Sequence, residues 1–259
     1  MQRRVRVEPV MGTVVTIDVR DPELSDPGVD AAIDAAVAWL HRVDATFSTY
    51  RDGSEISRLG RGELQAGECS AEVREVLGLC AEVERSSGGC FDIHRGGRLD
   101  PSGLVKGWSV QQAAEMLRAA GARSFFIGAG GDVVTRGEAA PGQPWRVGVR
   151  HPEIAHQVAA VLEIGDLAVA TSGAYERGEH IVDPRTGRAA AGLLSITVAG
   201  PSLTYADAFA TAAFVMGEQG LSWVAGRDGY GALAITRDLR TMWTPGMDSL
   251  LVRDIAPAM

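Results

Sequence analysis

Apolar residues recur at helical spacing in several stretches of the chain. Residues 28–47 place Ala, Ile, Val, Trp and Leu along one side of a helix and acidic residues along the other. A second helix is predicted to begin after Ser70, whose hydroxyl can cap free amides, and to stop at Gly88-Gly89. The same spacing predicts three more helices, at 106–119, 205–217 and 218–226.

Short runs rich in β-branched and aromatic residues predict the strands. They lie at 13–19, 124–128, 132–137, 145–149, 157–165, 167–173, 193–200 and 231–236, and the first residues of the chain are interpreted as strand as well. Helices and strands alternate without a regular βαβ rhythm, so the predicted fold class is α+β, with a mixed, largely antiparallel sheet flanked by helices. The sequence contains no internal repeat and no Pro/Ser-rich linker, and residues 1–259 are therefore expected to form one domain.

The net charge limits the classes of partner that are expected, and the cysteines limit the kinds of site. The net charge is −8 and no run of Lys or Arg stands out, so neither a nucleic acid nor an anionic membrane surface is expected as a partner, while a small anionic ligand remains open. Cys69, Cys80 and Cys90 form no CxxC pair and are interpreted as small buried residues. No apolar run reaches the roughly 18 residues of a membrane span, and the first residues do not resemble a signal peptide, so a cytoplasmic protein without membrane insertion is expected.

The stretch EHIVDPRTG, residues 179–187, combines a histidine, two acids and an arginine in nine positions. Asp183-Pro184 favours a turn, because proline fixes φ and the aspartate oxygen can bond a nearby amide. The same residues could also belong to an active site. Nothing inside the stretch decides between the two interpretations.

Asp207 and Thr211 stand four residues apart in the predicted helix of residues 205–217, so they share one face of it. Their oxygens could hold a hard cation such as Mg²⁺. Alternatively, Asp207 complements the helix dipole and Thr211 bonds back to its own backbone. On spacing alone we favour this second interpretation, in which neither residue binds a metal.

The segment LDPSGLVKGWSV, residues 99–110, fits a type I turn that leads into a helix. Lys106 would then lie in the first turn of that helix, where it could meet a phosphate. A connector carrying a solvated lysine explains the same residues equally well.

Two further motifs are weaker. The glycine cluster GAGGD, residues 128–132, lacks the dinucleotide pattern G-x-G-x-x-G and is interpreted as a tight hairpin. In FSTYRDGSEISRL, residues 47–59, Tyr50 could stack on a flat ligand or pack within its loop.

Taken in order along the chain, these motifs resemble the FAD:protein FMN transferases. The resemblance is carried by MGT (11–13), FSTYxxxSEISRL (47–59), GCFD (89–92), DPSGLVKGW (100–108), GAGGD (128–132), TSGAYER (171–177), HIVDPRTG (180–187) and ADAFATAAFVMG (206–217). It implies a magnesium-dependent enzyme that moves FMN from FAD to a threonine of an acceptor flavoprotein and releases AMP.

The resemblance also implies roles for individual residues. Asp207, Thr211 and the main-chain carbonyl of Gly103 would bind Mg²⁺, and His180 would be the catalytic group that takes the threonine proton. The residues expected in the FAD site are Met11, Tyr50, Cys90, Phe91, Asp92, Asp100, Lys106 and Ile181. Residues 179–187 would thus form a turn and would also carry the histidine of the active site.

The sequence departs from the family pattern in three ways. A long insert with a tryptophan-bearing segment usually precedes the Asp100 turn, whereas only residues 93–100 connect Asp92 to that turn here. A more open FAD site is therefore expected. Gln111 stands where the family often has an aspartate, with an expected effect on helix packing only, and the usual export or lipoprotein signal is not seen.

Two other functions remain open from the sequence. With an open site, water could replace the threonine, and the protein would hydrolyse FAD to FMN and AMP. A non-catalytic protein that binds or delivers FAD is the third possibility, although the presence of His180, Asp207 and Thr211 argues against it.

Overall fold

An eight-stranded sheet forms the centre of the computed structural model, which describes residues 3–21, 26–95, 97–174 and 181–252. In spatial order the strands are β1 (Arg4–Val10), β2 (Thr13–Val19), β5 (Phe125–Ala129), β6 (Asp132–Arg136), β9 (Ala168–Gly173), β12 (Leu193–Gly200), β13 (Gly231–Thr236) and β14 (Thr241–Trp243). Every neighbouring pair of these strands is antiparallel. The predicted α+β class is confirmed, and the described sheet is wholly antiparallel rather than mixed.

Helices and three small hairpins complete the described fold. The helices are α1 (Asp26–Phe47), α2 (Glu55–Gly60), α3 (Ala71–Ser86), α4 (Ser102–Ala119), α5 (Leu203–Met216) and α6 (Gln219–Ala225). The hairpins pair β3 (His94–Arg95) with β4 (Arg98–Leu99), β7 (Trp145–Arg150) with β8 (Val158–Ile164), and β10 (Val182–Asp183) with β11 (Arg188–Ala189).

Alternation along the strands gives the sheet two apolar faces. In β12, Ile196 and Val198 belong to the core under the helices, whereas Ala199 belongs to a second core under the β7–β8 hairpin. Successive side chains of a strand point to opposite faces, so one apolar strand serves both layers. This explains why β12 is buried almost throughout, including its two polar residues, Ser195 and Thr197.

The close packing of α4 against α5 depends on Gly107. A Cβ at this position would lie 2.5 Å from the carbonyl oxygen of Leu203 and 2.7 Å from Cβ of Asp207, distances that no real side chain tolerates. Only glycine therefore lets the two helices approach this closely. The contact also fixes which residues of the two helices face each other.

Most predicted elements are present, and the differences have physical reasons. The helix predicted from residue 106 begins at Ser102, so Lys106 lies in its second turn rather than its first. Helix α2, with six residues, and strand β14, with three, were not predicted because they are too short to show a period. Helix α3 is confirmed from its Ser70 cap, whose hydroxyl accepts a bond from the Val73 amide.

Cys69, Cys80 and Cys90 are buried and free, as predicted. Burial raises the pKa of the Cys80 thiol to about 12, which makes it an inert core residue. Among the described helices, none has the length and apolar character needed to cross a membrane.

Candidate functional site

Three charged side chains from three elements meet where α4 and α5 cover the sheet. The ammonium of Lys106, on α4, bonds to Oδ2 of Asp132 and lies 3.4 Å from Oδ1 of Asp207, on α5. Asp132 is fully buried, Asp207 nearly so, and a quarter of the Lys106 side chain is exposed. We refer to Lys106, Asp132 and Asp207 as the lysine–diacid cluster.

The hairpin between β5 and β6 places Asp132 in this cluster. Gly130 and Gly131 both have positive φ, 56° and 93°, as a two-residue hairpin turn requires, so GAGGD is the tight hairpin that the sequence predicted. Asp132 is the first residue of β6 and shares the face of Val134, which lies in the core under the helices. Its Oδ1 accepts a hydrogen bond of 3.2 Å from the Thr171 amide of β9.

Burial dominates the electrostatics of both acids. It raises the pKa of Asp132, although the charge and hydrogen bond of Lys106 and the Thr171 amide act in the opposite direction. Burial also raises the pKa of Asp207 to about 7, with the Asp132 charge adding to the effect and Lys106 and the Gly107 amide opposing it. One ammonium does not fully compensate two buried carboxylates.

Asp207 is bound across the helix crossing rather than at its own helix end. Its Oδ2 accepts a 2.9 Å hydrogen bond from the Gly107 amide. In a regular helix that amide bonds the carbonyl four residues earlier, which is the carbonyl of Gly103. The Gly107 amide thus contacts Asp207 as well as facing the Gly103 carbonyl, and that carbonyl, with two lone pairs, can accept a further partner.

Thr211 lies one helical turn beyond Asp207 and faces the start of α4. A Cβ built on Gly103 would lie 3.8 Å from Cγ2 of Thr211, and the Thr211 hydroxyl is 3.4 Å from the Ser172 hydroxyl of β9. The structure thus brings together the three residues that the resemblance implied for Mg²⁺: Gly103, Asp207 and Thr211.

The donor set suits a hard cation. A carboxylate, a hydroxyl and a main-chain carbonyl are the oxygen ligands that Mg²⁺ takes, with its remaining positions left to water or phosphate. Within the described part of the chain, no group of three or more His, Cys, Asp or Glu side chains could hold a metal. A carboxylate, a hydroxyl and a carbonyl would fit an ion that also takes water or phosphate as ligands.

Met11 and Tyr50, expected in the FAD site, lie on two different loops. Met11 has a φ of 54°, unusual for a residue other than glycine, in the turn between β1 and β2, and its sulfur accepts a 3.5 Å hydrogen bond from Ser109 of α4. The Tyr50 side chain is 95% exposed. Its ring is therefore available to a ligand and contributes little to the core.

The segment Cys90-Phe91-Asp92 lies beneath the start of α4. Cys90 and Phe91 are buried, and the Phe91 ring supports Gly103, with Cε2 lying 3.3 Å from a Cβ built there. Asp92 accepts a 2.8 Å hydrogen bond from the His94 amide. The Phe91 ring thus supports the start of α4 from below, and the amides of Cys90 and Phe91 are bonded to Ser87.

The other predicted residues lie in turns. Asp100 accepts a 3.1 Å hydrogen bond from the Ser102 amide at the start of α4, and the Ile181 carbonyl accepts one of 2.9 Å from the Ala190 amide. The predicted turn at Asp183 is confirmed, because the Gly187 amide bonds the Asp183 carbonyl at 2.8 Å. His180 lies outside the described residues.

The sequence interpretation missed Asp132 and Ser172 as site residues. A signal for Asp132 was present in the sequence. It is an acid at the first position of a predicted strand, and Val134, the next residue on the same face of that strand, is apolar. Gln111 was expected to affect helix packing, and it does: its side-chain carbonyl accepts a 2.9 Å hydrogen bond from the Leu203 amide at the start of α5.

Several FAD:protein FMN transferases match this chain over part of their length. The FAD:protein FMN transferase of Vibrio cholerae is 36% identical over 131 residues, which are 47% of this chain and 39% of the relative. That of Salmonella typhimurium is 30% identical over 169 residues, 60% of this chain and 48% of the relative. That of Rhodobacter capsulatus is 31% identical over 241 residues, 90% of this chain and 43% of the relative. The chain thus spans less than half the length of these relatives.

Solved structures share the fold over nearly the whole chain. The flavin transferase ApbE from Vibrio cholerae superposes with a TM-score of 0.84 at 23% identity, covering 96% of this chain and 99% of that one. The flavinyl transferase ApbE of Pseudomonas stutzeri gives 0.80 at 24% identity, covering 97% and 98%. At this identity the likeness establishes the fold. The sequence model of the ApbE family matches residues 11–97 and 94–234, well over half of the 259 residues, and the chain belongs to the ApbE family.

Proposed function

We propose that this protein is a magnesium-dependent transferase that moves FMN from FAD to a threonine hydroxyl of an acceptor flavoprotein and releases AMP. The observation that carries the proposal is the meeting of Gly103, Asp207 and Thr211 beside Lys106. The relatives are FAD:protein FMN transferases, and their activity supplies the reaction class of the proposal.

Asp207, Thr211 and the Gly103 carbonyl are the residues that would hold the ion. When bound, Mg²⁺ supplies Lewis acidity and charge neutralisation for the phosphates of FAD. Lys106 adds a positive charge beside Asp207, at a point where a phosphate oxygen of FAD could meet it. Ser172 supplies a further hydroxyl beside Thr211.

In the proposed reaction the threonine oxygen attacks the phosphorus of the FMN half. The new bond forms between that oxygen and phosphorus, and the bond from phosphorus to the bridging oxygen of the pyrophosphate breaks. AMP leaves with the electron pair. His180 is proposed to take the threonine proton, since the unperturbed pKa of an imidazole lies near neutral pH.

FAD hydrolysis is the second candidate, and the short 93–100 connection favours it. In the described residues of that connection, β3 and β4 have two residues each and pair with one another, and the Asp100 amide bonds the Ile93 carbonyl at 2.7 Å. So short a hairpin covers little surface, and water could then reach the phosphorus in place of threonine.

The test incubates the protein with FAD, Mg²⁺ and a flavoprotein domain that carries an acceptor threonine. Flavin covalently attached to that domain, with AMP in equal amount, is the expected result. Free FMN and AMP without attached flavin would identify a hydrolase, and unchanged FAD would contradict both catalytic proposals.

Two variants make the assay specific to the site. Asp207→Asn keeps the size of a proposed ligand but removes its charge and should lower attachment by roughly 10²-fold. Asp18→Asn changes another fully buried acid, which lies on β2 and is bonded by Arg3 and Arg20. This variant should leave attachment unchanged. Equal attachment by the two variants would contradict the placement of the metal at Asp207.

A further inference from the structure

Asp132 has no role among the residues that the resemblance implies, yet it is one of the most enclosed acids in the chain. Its side chain is fully buried, one oxygen bonds the Lys106 ammonium, and the other accepts the Thr171 amide at 3.2 Å. Burying an acid is costly unless it is paired, so each of these two bonds offsets part of that cost. Asp132 is thereby held in a single orientation, with Oδ2 toward Lys106.

Lys106 consequently lies between two carboxylates, one of which is a proposed metal ligand. Its ammonium is bonded to Asp132 and lies 3.4 Å from Oδ1 of Asp207, while Oδ2 of Asp207 is engaged by the Gly107 amide at 2.9 Å. Oδ1 is thus the Asp207 oxygen that the structure places nearest the ammonium. If Asp207 held a divalent ion, that ion and Lys106 would be close neighbours.

Charge balance indicates how both cations can be present. With both acids ionised, as a bound cation favours, the lysine–diacid cluster has a single net negative charge, and a divalent ion changes this to a single net positive charge. Without the Asp132 charge, the ion would enter a neutral pair and leave two net positive charges. In a buried site, where water screens charge poorly, that difference opposes binding of the ion.

We propose that Asp132 is a positioning residue that anchors Lys106 beside the metal site and supplies the negative charge that lets Mg²⁺ bind next to that ammonium. The inference rests on the proposed function, because it takes Asp207 as a metal ligand. Lys106 then remains at the site as a second cation for the pyrophosphate of FAD instead of being expelled by the ion.

The test measures Mg²⁺ binding to the full chain by calorimetry, without FAD and without turnover. Asp132→Asn keeps the shape and the acceptor for the Thr171 amide but removes the charge, so Mg²⁺ affinity should fall roughly 10- to 100-fold, the range for residues that support metal ligands. Lys106→Met removes the competing cation and should raise the affinity roughly 10-fold, which corresponds to about 1.4 kcal/mol of relieved charge repulsion. The double variant restores the original net charge and should bind close to the wild-type affinity.

The order of the Mg²⁺ affinities among these variants distinguishes an electrostatic role of Asp132 from damage to the fold. Damage to the fold would lower the affinity in Asp132→Asn and in the double variant alike, whereas the proposal requires recovery in the double variant. Asp18→Asn, a matched change of a fully buried acid in the same sheet, should bind Mg²⁺ like the wild type.

The two proposals fail in different ways. A wild-type protein that binds no Mg²⁺ would overturn the proposed metal site, and this inference with it. Wild-type binding with unchanged affinity in Asp132→Asn would overturn the inference alone. So would a Lys106→Met variant that binds Mg²⁺ no more tightly than the wild type, which keeps the test decisive if Asp132→Asn does not fold.

Discussion

Two buried acidic groups on opposite faces of one sheet have opposite charge balance. On the outer face, the fully buried Asp18 is bonded by two arginines, at 2.9 Å from Arg3 and 2.8 Å from Arg20. On the helix face, Asp132 and Asp207 share one lysine. We refer to Asp18, Arg3 and Arg20 as the arginine cluster.

The two clusters differ in the pKa of their acids. Burial raises the pKa of Asp18, but hydrogen bonds and charges from Arg20 and Arg3 outweigh burial and hold it below the usual range. In the lysine–diacid cluster burial prevails, and the pKa of Asp207 rises to about 7. The two arginines therefore neutralise the acid of the arginine cluster, whereas the lysine–diacid cluster keeps a negative charge that a further cation could balance. Buried acids with strongly shifted pKa values are concentrated at functional sites.

The largest expected contrast is between Asp207→Ala and Asp18→Ala. Asp207→Ala should lower flavin attachment by roughly 10²–10³-fold, the cost of losing one preorganised electrostatic contact to the reacting group. Asp18→Ala should leave the attachment rate unchanged and destabilise the fold by about 1–3 kcal/mol. The loss stays in that range because Arg3 and Arg20 are 57% and 24% exposed and can be solvated. Rates of AMP release and urea unfolding measure the two effects, and a reversed pattern would remove the distinction between the clusters.

Gly107→Ala should disrupt the lysine–diacid cluster through the backbone. The new Cβ would meet the Leu203 carbonyl oxygen at 2.5 Å, so α4 and α5 must separate, at a cost of about 1–3 kcal/mol from overpacking. Magnesium binding should weaken as well, because Gly103 would move away from Thr211. Gly78→Ala in α3 is the matched control: nothing lies within 4 Å of its Cβ, and the free energy of unfolding should rise by about 0.5–1 kcal/mol. Thermal unfolding of the two variants distinguishes crowding from helix propensity.

The clusters should respond to pH with opposite signs in metal-free protein. Between pH 4 and 7 folded Asp207 holds a proton that the unfolded chain, with a pKa near 3.8, has released. The free energy of unfolding should therefore fall as pH rises through this window, by at most about 1.4 kcal/mol per pH unit for one proton. Asp207→Asn should reduce this slope, and the raised pKa of Asp132 leaves a remainder of the same sign.

The Asp18 contribution runs the other way. Because the folded pKa of Asp18 is lowered, its stabilisation is present above pH 3.8 and is lost as the pH falls through the folded value. Asp18→Asn should abolish that acidic loss and leave the slope between pH 4 and 7 unchanged. Urea unfolding over a series of pH values checks both, and identical profiles for the two variants would contradict the assignment.

The smallest expected effect concerns Thr211. Thr211→Val keeps the shape of the side chain and removes one proposed oxygen ligand, so the Mg²⁺ concentration for half-maximal attachment should rise roughly 10-fold. Thr46→Val in α1 is the matched helix threonine, whose hydroxyl bonds the Arg42 carbonyl at 2.9 Å, and it should leave the titration unchanged. Equal titrations for the two variants would remove Thr211 from the site.

The candidate site could be predicted from the sequence only in part. Asp207 and Thr211 could be paired because a helix places residues four apart on one face. Lys106 was singled out as a phosphate contact, but its place in the second turn of α4 was not, since helix boundaries depend on local contacts that periodicity does not report. Its partner Asp132 was missed because a glycine-rich hairpin accounts for the GAGGD stretch by itself.

The sequence by itself determined the elements that depend on neighbours in the chain. The Ser70 cap, the turn at Asp183 and the two-residue hairpin before Asp132 all follow from residues within a few positions of one another. Such features are local, because the backbone dihedrals and short-range hydrogen bonds that define them involve no distant contact.

Only the tertiary structure decided how the lysine–diacid cluster is assembled. Lys106 and Asp132 lie 26 residues apart, and the Gly107 amide reaches Asp207 across 100 positions. Their meeting depends on the antiparallel register of β5 with β6 and on the close approach of α4 and α5 that Gly107 permits. Burial, which sets the charge state of Asp132 and Asp207, exists only once those layers have packed, because a side chain loses its water only when other elements cover it.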